Sequence, residues 1–513
     1  MMMKIIETFI VSLFLIGGTK MYPFVYKFET NDNQYVYDVF SNKIISVGRI
    51  IYDIIDCFCE NNEVELINKF SDKYEKHELQ NAIDSIRTFK NNTDLFKESR
   101  PKGKVYNPEI FEIEALNISS MNVLTLGITE ECNFRCSYCI YNGDNPNRRS
   151  HNKNEMSLST ALKAVDYFKE HVDESFYVQG IGFYGGEPLL MFPLIKEVTN
   201  YAKSILNPKK LSFSITTNAT LLNNEIIDFF VENNFLVLIS LDGPKEYHDD
   251  KRKFENGNPT WQKIMNNLEK IKNKYPDYYS DFVMLSAVIS PLADYKYLND
   301  FFSNLGLKVR SGIVDQLNND DFEKLRTGFT NFNEIAEIFK LEVINGTINN
   351  SNQNFFVHDV FQSTIRRIHN RNQVFQDLDH SFKHGLCTPG TRRIFVDTSG
   401  KLFPCEKIDG MEELCIGDID HGVDVKRVKN LFQKIDNVIK DDCTKCWLIR
   451  FCPMCIMHTL DKGNFDRVRF KNNCEIWSNQ YKNILKLYCS ILEINENAFS
   501  YLEDSNLQKS IFY

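Results

Sequence analysis

No cysteine stands between Cys139 and Cys387, although the 513-residue chain contains 14 of them. Disulfide frameworks staple small secreted domains, so a long chain with a cysteine-free middle argues against one. Long apolar runs are also scarce: Phe9–Ile16 is the most apolar stretch near the start and is too short to span a bilayer. Positive charge is in deficit, with a net charge of −9 and a pI near 5.7, which argues against a broad nucleic-acid surface. The sequence shows no internal repeat and no low-complexity tract.

What is present is globular material, 43% hydrophobic and 25% charged, enough for two to four domains. Residues 21–97 read as a small α+β module. Phe24–Phe28, Tyr35–Phe40 and Ile44–Val47 look like short strands. Helical periodicity follows at Ile50–Phe58, Val64–Phe70 and Leu79–Phe89, an order that resembles a winged helix. A polar linker is expected over 98–120. Strand-like and helix-like segments then alternate over 121–320, with six strands expected at Val123–Thr129, Val178–Tyr184, Leu211–Thr217, Phe235–Asp242, Phe282–Ser290 and Leu307–Val314. Repeated βα units imply a parallel sheet with its chemistry at the C-terminal strand ends. A helical bridging region (321–384), a cysteine-rich region (385–489) and a tail (490–513), read as a surface helix with a frayed end, complete the expected order.

The notable motifs fall at those strand ends. Cys132, Cys136 and Cys139 follow the first strand with C-x3-C-x2-C spacing, and Gly185-Gly186-Glu187-Pro188 follows the second. Three cysteines so spaced bind three corners of a [4Fe–4S] cubane and leave one iron open. Zinc would want a fourth ligand, for which His151 is the nearest candidate, and three chance cysteines on a loop are the plainest alternative. In the C-terminal region Cys387 is followed by twelve residues, Gly400, four residues and Cys405. Cys415, Cys443-x2-Cys446-x5-Cys452-x2-Cys455 and Cys474 come next. The x5 loop is short for paired zinc-ribbon knuckles, and this many thiolates would suit two clusters. Cys57, Cys59 and Cys489 lie on apolar faces and read as core packing.

On these motifs residues 121–320 resemble the radical S-adenosylmethionine superfamily. The fold class implied is α/β: a partial (β/α)6 barrel, preceded by the winged-helix-like module and followed by a cluster domain. The resemblance implies an enzyme whose cluster chelates S-adenosylmethionine. It places Gly185, Gly186 and Glu187 at the methionine ammonium and Tyr138 near the adenine. Ser214, Thr216, Asn218, Ser240 and Asp242 would serve the ribose and carboxylate, and Arg252 the methionine carboxylate. No side chain is assigned as a catalytic base. The C-terminal region is similar to the SPASM domain, which implies auxiliary cluster one on Cys387, Cys405 and Cys455 and auxiliary cluster two on Cys443, Cys446, Cys452 and Cys474. Either Cys415 completes cluster one or one iron stays open, and the two residues before Cys455 depart from the family's usual three.

Residues 21–97 beside such a barrel resemble the peptide-recognition element of enzymes that mature ribosomally made peptides, in which a leader adds to a sheet edge. The implied activity is a radical-derived crosslink in a precursor peptide, with a thioether as the favoured product. Formylglycine formation in a sulfatase, or carbon–carbon crosslinking or epimerisation, are the alternatives within the class. A non-catalytic iron–sulfur sensor is the alternative outside it, and the Gly-Gly-Glu-Pro loop speaks against that. The implied partners are a leader-bearing precursor and an electron donor such as flavodoxin or ferredoxin, with no nucleic acid and no stable membrane insertion. Export would expose cluster ligands to oxidation, so residues 1–20 read as an apolar leader or a mistranslated start before Met21, and the expected compartment is the cytoplasm.

Overall fold

The computed structural model describes residues 22–59, 62–100, 121–144, 148–290, 292–313, 330–349, 354–371, 387 and 389–502. The expectations for residues 1–20, for most of the linker and for the chain's last residues lie outside them. The chain divides into two compact units. One is Met1–Gly103 with Arg371–Ser381 and Thr444–Arg450, and the other is the remainder.

In the first unit β1 (Val25–Glu29), β2 (Gln34–Asp38) and β3 (Lys43–Val47) form an antiparallel meander, followed by α1 (Arg49–Ile54), α2 (Glu63–Phe70) and α3 (Lys76–Asn92). Alternation sends Val36, Ile45 and Val47 to one face, where they pack with Ile54, Leu66, Leu79, Ile83 and Ile86 from the helices. The N-terminus of α3 is fixed by a capping box between Glu75 and Glu78. Residues of the opposite alternation, Tyr26, Phe28, Tyr35 and Tyr37, form an aromatic face. Trp447 stacks on Tyr26 at 4.0 Å and meets Tyr37 edge-on at 6.4 Å. Arg450 donates to the Phe40 carbonyl at 2.7 Å. The segment from Thr444 to Arg450, expected to belong with the cysteine-rich region, therefore folds with the N-terminal sheet because that sheet has a second apolar face to cover.

The second unit is built on a largely parallel sheet. Its six βα strands are β4 (Met121–Thr129), β5 (Gln179–Gly185), β6 (Leu211–Thr217), β7 (Leu236–Ser240), β8 (Val283–Ile289) and β9 (Lys308–Ile313), each paired with the next. Between them run α4 (Leu158–His171), α5 (Phe192–Ile205), α6 (Asn224–Glu232), α7 (Lys245–Lys251), α8 (Trp261–Lys274), α9 (Pro276–Phe282) and α10 (Tyr295–Leu305). Strand order equal to chain order is what short right-handed crossovers produce. Phe183, Phe213, Phe230 and Phe235 pack between sheet and helices.

One feature of the sheet had no counterpart in the sequence reading. After α11 (Phe332–Ile344) and α12 (Phe355–His369), β10 (Arg392–Val396) pairs in parallel with β4, and β11 (Lys401–Phe403), β12 (Gly417–Asp418) and β13 (Gly422–Val423) extend the same sheet. A Cβ on Gly127 would come within 2.5 Å of the Phe395 ring, so glycine at that position lets β10 seat beside β4. The tail also departs from expectation. α13 (Val425–Cys443) is followed by α14, which runs over Arg467–Ile494, and Ile491, Phe499 and Leu502 are buried beyond or at its end. Apolar residues there find a core, so the segment is not a surface helix. Cys59 and Cys489 are buried as expected, and half-buried Cys57 packs against the core of the first unit with its sulfur 3.1 Å from Lys69 Nζ. No described helix is long and apolar enough to cross a membrane.

Candidate active site

The tri-cysteine loop leaves β4 at Thr129 and is tied down by backbone. Arg135 donates to the Lys253 carbonyl at 2.9 Å, Ser137 to that of Lys251 at 3.0 Å, and Glu255 to that of Asn133 at 3.0 Å. The Asn218 amide donates to Asn133 Oδ1 at 2.7 Å and the Asn133 amide to the Thr220 hydroxyl at 3.0 Å. The loop brings three thiols together. The Cys132 thiol is pushed up by burial and then by the charges of Glu187, Cys136 and Cys139. Burial likewise pushes Cys136 up to about 11. Crowded, half-buried thiols favour the neutral form by themselves, and a bound cationic cluster would reverse that preference. Among the described residues no three Cys, His, Asp or Glu side chains surround a point where a lone ion would sit. His151 does lie near, with Nε2 3.6 Å from the Cys139 sulfur.

Gly185 and Gly186 stand directly against the backbone at the end of β4. A Cβ on Gly185 (φ +153°) would lie 2.3 Å from the Thr129 carbonyl oxygen, and one on Gly186 2.0 Å from that of Glu131. The Gly186 and Glu187 amides donate to those same carbonyls at 2.8 Å. The glycines therefore let the loop after β5 lie directly on the exit of β4 that carries Cys132. Glu187 is buried and accepts from Leu189 N at 3.1 Å, the Thr217 hydroxyl at 2.6 Å and Asn218 N at 2.7 Å. Burial pushes its carboxyl up to about 7 against those hydrogen bonds. These three partners are all neutral donors, so a cation brought to this carboxylate would relieve the desolvation that raises it. That arrangement suits an ammonium.

Half-buried Tyr138 joins buried Asp242 and Arg252 in one set. The Tyr138 hydroxyl donates to Asp242 Oδ2 at 2.5 Å, Arg252 Nε pairs with the same oxygen at 2.9 Å, and the guanidinium lies 5.3 Å from the Tyr138 ring centre. Val288 N donates to Asp242 Oδ1 at 2.9 Å. Arg252 already faces a carboxylate of the chain, and its charge also bears on Cys136. Ser214 and Thr216 on β6 and Ser240 on β7 are half-buried. The Asn218 side chain bonds to Asn133 and Thr220. The sequence reading missed Thr217, which reaches Glu187, and Tyr184. The alternation along β5 pointed to Tyr184, because Phe183 is buried in the core and its neighbour must face the other way. Burial pushes the Tyr184 hydroxyl well up, and the charged groups around it are Glu406, Cys139, Arg149 and Arg252.

His248 supports this wall from behind. It is fully buried, its Nδ1 accepts from Asp242 N at 3.3 Å and its Nε2 pairs with the Thr260 hydroxyl at 2.9 Å. Burial, with the Arg252 charge, holds the ring down to about 4. The unfolded chain therefore takes up the proton first as pH falls. Stability is full above the ordinary value of 6.5 and declines towards pH 4, by about 3 kcal/mol. Urea unfolding of cluster-free protein at several pH values should show this decline, and His248→Asn should lose it. Parallel pH profiles for the two proteins would assign the decline to another group.

A second thiol group forms beyond β10. Burial pushes the Cys405 thiol well up, as do Glu406, Cys387 and Cys455 nearby. Burial would also raise Cys455, but the His458 ring beside it prevails and holds it at about 7. Cys415 is not brought to this group. Its thiol donates to the Gly417 carbonyl at 3.2 Å, and the charges around it are those of Arg427, Glu412 and Lys401. Cys443, Cys452 and Cys474 belong to the second unit, where the Cys474 sulfur lies 3.7 Å from Met454 Sδ, and Cys446 belongs to the first.

A parallel α/β sheet with three neighbouring thiols after its first strand, and a buried carboxylate after its second, is the arrangement expected of a cluster-dependent enzyme. Residues 126–288 match the radical SAM superfamily. An uncharacterized protein of Methanocaldococcus jannaschii is 31% identical over 215 residues, covering 40% of this chain and 71% of its own. The chain belongs to the radical SAM superfamily and is an enzyme; the family brings a [4Fe–4S] cluster and S-adenosylmethionine. A cysteine-type anaerobic sulfatase-maturating enzyme of Clostridium novyi is 36% identical over 166 residues, 32% of this chain and 43% of that one, so the match spans less than half of that relative. The radical SAM cyclopropyl synthase TigE of Paramaledivibacter caminithermalis is 22% identical over 475 residues, 88% of each chain. The solved structure of native anSMEcpe with bound AdoMet shares the fold, with a TM-score of 0.53 at 19% identity over 72% of this chain and 99% of that one.

Proposed function

We propose that this enzyme matures a ribosomally made precursor peptide in the cytoplasm and that its product is a thioether crosslink. The observation that carries the reading is the second thiol group, Cys387, Cys405 and Cys455, on a chain that also folds a separate three-stranded unit. When loaded, the first cluster with S-adenosylmethionine supplies a 5′-deoxyadenosyl radical that abstracts hydrogen, and further clusters supply an electron acceptor. Cys132, Cys136 and Cys139 would hold the first cluster, and Glu187 the cosubstrate's ammonium. Cys387, Cys405 and Cys455 would hold auxiliary cluster one. Cys443, Cys446, Cys452 and Cys474 would hold auxiliary cluster two, in the pattern of a SPASM domain. Tyr138, Asp242 and Arg252 line the wall beside Cys136. β3 is the edge strand of the N-terminal sheet, with half-buried Ile44 and exposed Ser46, and offers backbone groups to a leader. A flavodoxin or ferredoxin would supply the reducing electron.

Formylglycine formation is the second reading, favoured by the 36% identity to the Clostridium novyi enzyme. Co-expression with each short reading frame that flanks the gene, followed by mass spectrometry, separates the two. A thioether costs the peptide two hydrogens and blocks a cysteine thiol from alkylation. Formylglycine replaces the sulfur with an aldehyde that hydrazide reagents capture. Hydrazide-reactive product, with every thiol outside the converted residue still free, would replace the first reading by the second.

A further inference from the structure

Between the tri-cysteine loop and the Cys405 turn lies a buried cluster that neither cofactor site uses. Arg149 Nε pairs with Asp409 Oδ2 at 2.6 Å, with both side chains at least nine-tenths buried. The Tyr141 hydroxyl donates to Asp409 Oδ2 at 3.1 Å and to the Glu406 carbonyl at 2.9 Å. The Arg149 guanidinium sits 3.5 Å from the Tyr141 ring centre. Arg148 donates to the Lys407 carbonyl at 2.6 Å. A Cβ on Gly410 (φ +77°) would come within 2.8 Å of the Arg149 backbone nitrogen, so the two segments meet at backbone contact. Tyr141 stands two residues after Cys139, and Glu406 directly follows Cys405.

We propose that Tyr141, Arg149 and Asp409 are positioning residues: a clamp that fixes the Cys405 thiol relative to the tri-cysteine loop and thereby sets the electronic properties of the auxiliary group. The proposal rests on the reading that Cys387, Cys405 and Cys455 hold a cluster. Stability alone does not explain the clamp. Two charges removed from water cost more than an apolar pair of the same volume, and here Arg149 Nη1 and Asp409 Oδ1 are buried with no hydrogen-bond partner among the described residues. The clamp also acts unequally on its two sides. The tri-cysteine loop has independent anchors at Lys251, Lys253 and Asn218. The Cys405–Asp409 turn has the Arg393–Glu406 pair at 2.7 Å, the Arg148 bond to the Lys407 carbonyl, its own short-range hydrogen bonds and this clamp; the Arg148 bond and the clamp both come from the Tyr141–Arg149 segment. Loosening the clamp should therefore move the Cys405 side.

Two variants separate position from folding. Asp409→Asn keeps the volume and removes the charge, and Arg149→Met with Asp409→Leu replaces the pair by apolar side chains, which should leave thermal stability equal or higher. The measurements are iron and sulfide per chain, the redox-titrated electron paramagnetic resonance signal in a Cys132→Ala, Cys136→Ala, Cys139→Ala background, and 5′-deoxyadenosine yield in the otherwise native chain. Both variants should change the line shape and midpoint potential of the auxiliary signal and keep 5′-deoxyadenosine formation. Where a peptide substrate is in hand, modified product per 5′-deoxyadenosine should fall about tenfold, the low end for a lost outer-shell partner. An auxiliary signal identical to that of the parent in both variants would overturn the clamp. Cys405→Ala distinguishes the deeper failure: if it costs no iron, no cluster is held there, and the reading falls together with the proposal.

Discussion

Cys136→Ala is expected to reduce 5′-deoxyadenosine formation to the level of the reagent blank, whereas Cys443→Ala retains cleavage of S-adenosylmethionine without peptide modification. The difference follows from where the two thiols sit. Cys136 lies in the half-buried group with Cys132 and Cys139, beside Arg252 and on the loop facing Glu187. A cubane left with two protein ligands is not retained, and the metal's contribution to holding the loop goes with it. Cys443 ends α13, remote in sequence from the cosubstrate loop, so its loss should deplete an auxiliary cluster and spare the first. Iron analysis, visible absorption and chromatographic detection of 5′-deoxyadenosine under dithionite check both variants. Equal 5′-deoxyadenosine from the two proteins would reverse the assignment of the trio as the site of radical formation.

A natural companion experiment is removal of the N-terminal module, but its boundaries matter. Trp447 packs on Tyr26 and Tyr37, and Arg450 bonds to Phe40. Excising residues 21–97 would strand Trp447 and disturb Cys446 beside it. Substituting Ile44 or Ser46 at the β3 edge tests leader recognition with the sheet's aromatic face left covered.

The parts of the molecule legible in the sequence are those written in local spacing. Period-two and period-3.6 patterns gave the β1–β3 meander, its helices and the six βα strands to within a few residues, because each element buries a face defined by its own residues. The tri-cysteine loop and Glu187 were legible because they follow strand ends. What escaped depends on partners distant in the chain. The pairing of β10 with β4 joins residues some 270 apart and rests on Gly127 making room for Phe395. Trp447 reads as part of a cysteine cluster until the aromatic face of β1 and β2 is seen to need cover. Arg149 and Asp409 are unremarkable charges in sequence and become a pair only when the cluster loop meets the Cys405 turn. The glycines of the Gly-Gly-Glu-Pro loop stand out in the sequence, but nothing in that motif says that the backbone of Thr129 and Glu131 lies against them.

Gly186→Ala tests that close approach and should be the most damaging single methyl in the site. Its Cβ would stand 2.0 Å from the Glu131 carbonyl oxygen, 2.4 Å from its carbon and 3.0 Å from Cys132 N, all backbone atoms with no rotamer to yield. Relief requires the β5 loop and the β4 exit to separate, which breaks the Gly186–Thr129 and Glu187–Glu131 hydrogen bonds, each 2.8 Å. Separation withdraws Cys132 from the other two thiols and Glu187 from its place above them. Iron bound by the tri-cysteine site and affinity for S-adenosylmethionine should therefore fall together, by at least tenfold on the scale of displaced metal ligation. Gly257→Ala is the control: it too has positive φ, at +82°, but its Cβ meets nothing within 4 Å. It should cost only the backbone strain of about 1–2 kcal/mol and leave iron content unchanged. If Gly186→Ala instead binds a full complement of iron and loses only S-adenosylmethionine, the glycine's space serves the cosubstrate, and the backbone contact with Glu131 is incidental.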